Sequence, residues 1–448
     1  MASLTYMQLL KGNQSFRRLL SGQVISELGN WFNFIAGLGL VRAVSGAAPE
    51  VTAIMLVARL APFALFAPIA GAFADRWSRR TLMIGTDVAR AIVALGYLFV
   101  DGPEDLWLAY ACAIAGTVLA AFFEAAKNAA MPNITGNQGL LAGNALLFSS
   151  RFFLMSVGAA LGGWTAARFG YRAAFITNSI SFIVSAYSIW FIPEEETRRR
   201  EQSFGEEAGQ PKGRTHFWTD IHEGWKYIAR HPLVFAIICV NILWATGGGA
   251  TNLITDRLGG VIFAAQEGLQ ADAGVAAFYA AAGLGLFIGM LIARRVGAHV
   301  EFHKATAGFI GWMLVAHGVL YALMGLMPKL WMACALLLFS RVLLGVEFAV
   351  QETLLMQIVP DGLRGRIKTS DIAVEIFFTS ISTVIAGWSL HVISPRTLTV
   401  ISGLLSASPG VMWLVMFARG RLKIPDAVHS EPEPEEEATD EAALASAG

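Results

Sequence analysis

Twelve apolar stretches, each long enough to cross a bilayer, constrain this chain more than any other feature. They fall at 21–41, 51–74, 81–100, 106–131, 140–167 and 173–192. Six more follow at 233–254, 273–293, 305–327, 330–359, 369–393 and 398–418. A hydrocarbon core takes about 20 apolar residues of helix to span. Backbone amides inside it must be bonded within their own segment, so each stretch reads as an α-helix. Only 15% of residues are charged and mean hydropathy is +0.55, whereas a soluble domain carries about 25% charged residues. The expectation is an all-α polytopic membrane protein with twelve transmembrane helices, not a soluble domain on a single anchor.

The polar segments set the organisation. With the N-terminus inside, 23 Lys and Arg fall on the side of the termini and 6 on the other, among them Arg42, Arg168, Arg172 and Arg257. That bias predicts a multi-pass protein of the inner (plasma) membrane with both termini cytoplasmic. Residues 1–15 lack an apolar core before a small-residue cleavage site, so the first helix is expected to act as an uncleaved insertion signal. The chain divides into an N-terminal half (1–192), a linker (193–232), a C-terminal half (233–419) and an acidic tail (420–448). In the linker, Trp218, Ile221, Trp225 and Ile228 share one helical face. That amphipathic helix suits either the membrane interface or the ends of the bundle. The tail is too polar to bury surface and is expected to be disordered. A short internal repeat relates the halves: Glu124 precedes Pro132, and Glu352 precedes Pro360, at the same distance.

Between the second and third stretches stands Gly71-Ala-Phe-Ala-Asp75-Arg76-Trp-Ser78-Arg79-Arg80. This turn resembles the signature G-x-x-x-D-R-x-G-R-R of the major facilitator superfamily, with Ser78 where that family usually has glycine. Gly158-Ala-Ala-Leu-Gly162-Gly163 looks like its antiporter motif G-P-x-x-G-G, with Ala159 in place of proline. Pro360, Arg364, Gly365 and Arg366 resemble a P-x-x-x-R-G-R turn, and 217–232 looks like the segment opening the second half of exporters of the enterobactin and macrolide efflux type. The resemblance implies two pseudo-symmetric six-helix halves around a cavity lined by helices 1, 4, 7 and 10. It also implies a cytoplasmic gate in which Arg76 and Arg79 reach Asp371 or Glu375 in the outward-open state, with Gly71, Asp75, Arg80, Arg364 and Arg366 shaping the turns. Small residues such as Gly158, Gly162 and Gly163 let helices approach closely.

Ionisable residues inside the stretches point to function, because each costs roughly 2.5–3.5 kcal/mol at the bilayer centre. Glu27, Glu124, Arg151, Arg341, Glu347 and Glu352 are the cavity candidates. A carboxylate shielded from water can take up and release a proton during a cycle, and Glu27 is the leading one, with no basic residue at helical pairing distance. Asp87 and Arg90, and likewise Glu124 and Lys127, are three apart and suit intrahelical pairs. Arg341 is expected to be neutralised by Glu347 or by another helix. Glu352 and Lys127 also suit snorkelling to the headgroups.

The remaining features narrow the class by what they lack. No Gly-rich loop ends in Lys-Ser or Lys-Thr, no serine sits in a G-x-S-x-G elbow, and His317 and His391 have no His or carboxylate at ligand spacing. Cys112, Cys239 and Cys334 are scattered through apolar segments without paired spacing. The expectation is a non-enzyme with no cofactor, metal, nucleotide or nucleic-acid partner. Its partners are a small-molecule substrate, protons and the lipid bilayer. Export of a small amphipathic solute by proton antiport is the leading function. A lipid or lysophospholipid transporter of the same fold and a non-transporting sensor or scaffold are the alternatives.

Overall fold

The computed structural model describes residues 4–198 and 217–422. Among them eleven helices are long and apolar enough to span a membrane. One of these, Gln138–Trp190, has 53 residues, about 80 Å of helix against a hydrocarbon core of about 30 Å. It breaks at Gly170, whose φ of 80° and ψ of 170° are non-helical and lie where side chains with a Cβ rarely go. Gly136 turns the chain in the same way one span earlier, at φ 66° and ψ 168°. Dividing at Gly170 gives twelve spans. They are α1 (Gln14–Val44), α2 (Pro49–Arg76), α3 (Arg79–Phe99), α4 (Pro103–Gly136), α5 (138–169), α6 (171–190), α7 (Pro232–Glu267), α8 (Ala271–Phe302), α9 (Thr306–Met324), α10 (Leu330–Ile358), α11 (Leu363–Ser389) and α12 (Pro395–Ala418).

Local chemistry sets the ends and breaks. Ser78 is the N-cap of α3, its hydroxyl accepting from Thr81 N at 3.4 Å. Its φ of −58° needs no glycine, so a cap replaces the glycine of the family pattern. Proline opens α2, α7 and α12, where a missing N–H leaves no bond unmade. Within α2 the helix breaks after Ala58 and restarts at Ala61, leaving half-buried Arg59 at the break. Helix α7 continues to Glu267 through a π-helical turn, Leu258–Phe263, whereas its hydropathy falls at Asp256 and Arg257 and suggests an end at 254. Both charges are buried, so they lengthen the helix instead of terminating it.

Twelve alternating spans place both ends of the described chain at one face, the terminus face. The halves meet through α2 with α11 and α5 with α8. The apolar core is arranged unevenly between the two faces. Toward the opposite, far face one cluster crosses between halves, joining Ile35, Leu38, Ala53 and Leu56 to Leu253, Leu258, Val275 and Phe278. Toward the terminus face each half closes on its own cluster. One is built on Phe16, Leu19, Phe123 and Ile189, the other on Ile237, Ile310, Leu354 and Trp413.

The linker helix, Phe217–Arg230, packs on the second of these clusters through Ile228. Tyr227 Oη donates to the Ile358 carbonyl at 3.3 Å, and Gly224 lies against Arg366 and Ser370. Of the two sequence expectations, packing on the bundle ends describes these contacts. The side chains of Trp218 and Ile221, residues 199–216 and the acidic tail from 423 lie outside the described residues.

Candidate functional site

The far face is shut by a clasp of opposing charges. Arg42, near the end of α1, divides its guanidinium between Asp256 of α7 and Asp272 of α8. Arg257 pairs with Asp256 at 3.1 Å and reaches back to the N-terminal half, donating to Thr52 Oγ1 at 2.6 Å and to the Ala47 carbonyl. All four charged residues are buried. Two cations against two anions, bonded across the halves, let charges stay in a place where lone ones would be expelled. Glycines make room: a Cβ on Gly260 would lie 2.7 Å from Arg42 Nη1, and Gly259 and Gly274 meet backbone to backbone. Outside the clasp, His391 Nε2 lies 2.9 Å from Glu50 Oε2, again across the halves. This corrects the sequence reading, which placed Arg42 and Arg257 among loop cations and gave His391 no partner. The partners are 214, 230 and 341 residues apart, beyond any local spacing.

Within the N-terminal half, Glu27, Asp87 and Glu124 share one polar cluster with Arg90, Lys127 and Arg151. Asp87 and Arg90 form the expected i,i+3 pair at 3.3 Å, and both are buried. Arg90 extends to Asn30 Oδ1 at 3.1 Å, and Asn30 Nδ2 donates to Glu27 at 3.3 Å. Arg151 of α5 stands 3.9 Å from Glu27, giving it the basic neighbour that its own helix lacks. Glu124 and Lys127 pair at 2.6 Å, and Lys127 is buried, so it does not snorkel. Three carboxylates face three cations.

The C-terminal half is built differently. Arg341 is buried and donates to Thr251 Oγ1 at 3.4 Å, with the Tyr321 ring beside it. Glu347 does not neutralise it. Six residues on, it has turned about 240° around α10, and its buried Oε1 has no hydrogen-bond partner. Toward the terminus face, Lys368 pairs with Glu352 at 2.6 Å and approaches Asp371 at 3.7 Å. Asn241 donates to Asp371 at 2.8 Å and accepts from Gln351 at 2.8 Å. Glu375 lies in the same electrostatic field as Asp371, Glu352 and Lys368. The two glutamates of the sequence repeat are each paired with a lysine, Glu124 with Lys127 of its own helix and Glu352 with Lys368 of the next.

The bonds described for the arginine-rich turn run to backbone carbonyls of its own half and of the start of the linker. Arg79 donates to the carbonyls of Ala129 at 2.8 Å and Thr197 at 3.4 Å. Arg80 donates to the Trp190 carbonyl and lies over the Trp190 ring. These bonds tie the start of α3 to α4 and to the end of α6. Asp75 and Arg76 are exposed, and a Cβ on Gly71 would meet open space. Arg364 donates through Nε to the Val359 carbonyl at 3.0 Å, and the Arg366 carbonyl accepts from Ser370.

The helix-5 glycines, in contrast, are crowded. A Cβ on Gly158 would lie 2.7 Å from Trp31 Cβ, and one on Gly162 3.0 Å from Phe32 Cα. One on Gly163 would lie 2.3 Å from Ala276 Cβ of α8. Two of the three seat α5 on α1 and the third seats it across the halves. Below them, toward the terminus face, a recess of about 550 Å³ opens between Phe148 of α5, Met290 of α8, Phe348 and Met356 of α10, and Lys368 of α11.

A model of the Major Facilitator Superfamily matches residues 19–370. The uncharacterized MFS-type transporter YfiS of Bacillus subtilis is 27% identical over 230 residues, 50% of this chain and 52% of that protein. BacE of Bacillus subtilis, whose proposed role is bacilysin export, is 29% identical over 207 residues, 45% of this chain and 51% of its own. The chain thus spans about half the length of these curated relatives. Among solved structures, a bacterial homologue of the iron transporter ferroportin in an inward-facing state has a TM-score of 0.64 and 14% identity. That match covers 89% of this chain and 98% of the other. Twelve spans in two six-helix halves, and a family model that matches most of the chain, lead to one conclusion: the protein belongs to the Major Facilitator Superfamily.

Proposed function

We propose that this protein is a secondary active transporter that exports a small amphipathic solute across the inner membrane in exchange for protons. The carrying observation is the uneven core, with one apolar cluster shared by both halves at the far face and a separate cluster in each half at the terminus face. With the arginine-rich turns cytoplasmic, this is an inward-facing state, sealed outside by the Arg42 clasp. Alternating access then consists of opening that clasp while α2 closes on α11. In the closed gate Arg76 meets Asp371 and Glu375, whose acidic group here shares the single lysine Lys368. The neutral cluster around Glu27 supports coupling, because one added proton unbalances three carboxylates against three cations and biases the halves. The likeness to BacE supports export.

Everted vesicles with an acidic lumen and a fluorescent pH reporter test this reading. A substrate entering the lumen drives protons out and dissipates the gradient with the native protein. Glu27→Gln is expected to abolish that response while leaving expression and folding intact. An unchanged response from Glu27→Gln removes Glu27 from the coupling.

A second reading has its own observation. The 550 Å³ recess has mostly apolar walls and the Glu352–Lys368 pair at one end, which suits a lipid-like amphiphile. Movement of a fluorescent lysophospholipid between leaflets in proteoliposomes, absent from protein-free liposomes, would favour it over a soluble solute.

A further inference from the structure

Two arginines stand at one depth in the membrane with no carboxylate to pair with. Arg59, at the break in α2, and Arg341 of α10 each lie about ten residues, roughly 15 Å, along their helices from the far face. Arg59 Nη1 donates to Asn33 Oδ1 at 2.9 Å. Arg341 has Thr251 for a hydrogen bond, and Tyr321 and Tyr279 for electrostatic neighbours. Among the described residues neither half-buried Arg59 nor buried Arg341 forms an ion pair, whereas the buried basic residues Arg42, Arg90, Lys127 and Arg257 all do. Arg341 is 94% buried, with a side chain whose charge does not titrate away.

Aromatic rings stand beside both cations. Trp31 and Phe34 of α1 and Tyr279 of α8 form a closed triangle of rings, with centroids 5.3, 5.7 and 5.1 Å apart. Arg59 lies over Phe34 at 5.1 Å, and Tyr279 is within electrostatic reach of Asp256 of the clasp and, more weakly, of Arg341 and Arg59. Tyr279 Oη donates to Asn252 Oδ1 at 3.0 Å, fixing its ring. One arginine comes from each half and the rings come from both, so a ligand held here bridges the two bodies that move. Ring faces favour flat apolar groups and cations. The unpaired guanidinium groups decide between these: a cationic ligand would face two like charges, and an anionic one supplies the counter-charge the site lacks.

We propose that the central site takes an aromatic organic anion, a carboxylate on a flat apolar body, with the carboxylate between Arg59 and Arg341 and the ring against Trp31, Phe34 and Tyr279. This assignment rests on the transport reading above and names its substrate class. The site is formed at the halves' interface, and binding therefore couples directly to their relative position.

Isothermal titration of the purified full-length protein in nanodiscs with three probes of one ring system tests it: 1-naphthoate, 1-naphthamide and 1-naphthylmethylamine. Saturable binding of naphthoate is expected, at least about tenfold tighter than the amide or the amine. Arg341→Gln and Arg59→Gln are each expected to weaken naphthoate by at least about tenfold and to leave the amide unchanged, with Arg341→Lys restoring part of the loss. Equal affinity for the three probes, or no saturable naphthoate binding up to its solubility limit, overturns the proposal on the native protein alone. Proton exchange driven by an uncharged or cationic solute, without naphthoate binding, sinks the anion assignment and leaves the transport reading standing. Naphthoate binding in a protein that exchanges protons with no solute keeps the site and removes the antiport.

Discussion

Arg42 is one guanidinium serving two carboxylates, and its neighbour Arg257 is engaged by Asp256 and by the α1–α2 turn. Removing one partner from a buried ion pair costs about 3–5 kcal/mol, because a charge is left in the interior without compensation. Opening the far face admits water to Asp256 and Asp272, so that cost falls on the closed form alone. It corresponds to roughly 10²–10⁴ in relative population. Arg42→Gln is therefore expected to move the protein toward a far-face-open state, and Arg42→Lys to move it less. Spin labels at Glu104 and Leu269, exposed far-face positions in opposite halves, read the change as a longer distance in a cysteine-free background. An unaltered distance distribution in Arg42→Gln would show that the apolar cluster, and not the clasp, holds this face.

At the scale of helices, two glycines of the family-like motifs stand in opposite situations. Gly162 has the Phe32 backbone 3.0 Å from where its Cβ would be, while Gly71 has open space around it. A large side chain forced into a packed contact costs about 1–3 kcal/mol. Gly162→Leu is accordingly expected to lower the melting temperature in detergent, and Gly71→Leu to leave it unchanged. If α2 closes on α11 during transport, Gly71→Leu still blocks transport, because the collision occurs only in the other state. Full transport by Gly71→Leu would rule out that closure. Much at this scale is legible in the sequence, because hydropathy, i,i+3 spacing and turn residues are local quantities. They identify the twelve spans, the linker helix and the Asp87–Arg90 and Glu124–Lys127 pairs. They fail where the partner is remote in sequence. Arg151 beside Glu27, Glu50 beside His391, and the whole clasp depend on helices brought together only by the finished bundle. The sequence boundary of α7 fails for the same reason, since a charge ends an apolar run on paper and is buried by its counter-ion in the fold.

For the molecule as a whole, the proposed cycle treats the halves as two bodies joined at the far face. Of four apolar clusters one is shared and three are private, and on the proposed cycle the shared one is the fulcrum on the far side. Rocking about it predicts opposite changes at the two faces. Labels at Trp77 and Phe302, exposed at the terminus face in opposite halves, should draw closer in Arg42→Gln as the far-face pair separates. A longer far-face distance with no change at the terminus face would mean local fraying of the clasp and not a rocking motion.

The chain reversal at Gly170 bears on what is able to move. A connector that short has no slack, so α5 and α6 are fixed in rotational phase as well as in position. Every residue added there would turn α6 by about 100°, carrying Asn178, Ser181 and Ser185 away from the α1 glycines they abut and Tyr171 away from Asp272. These helices are thereby indexed like a key cut from one blank, and the play that the proposed cycle requires has to come from elsewhere in the bundle.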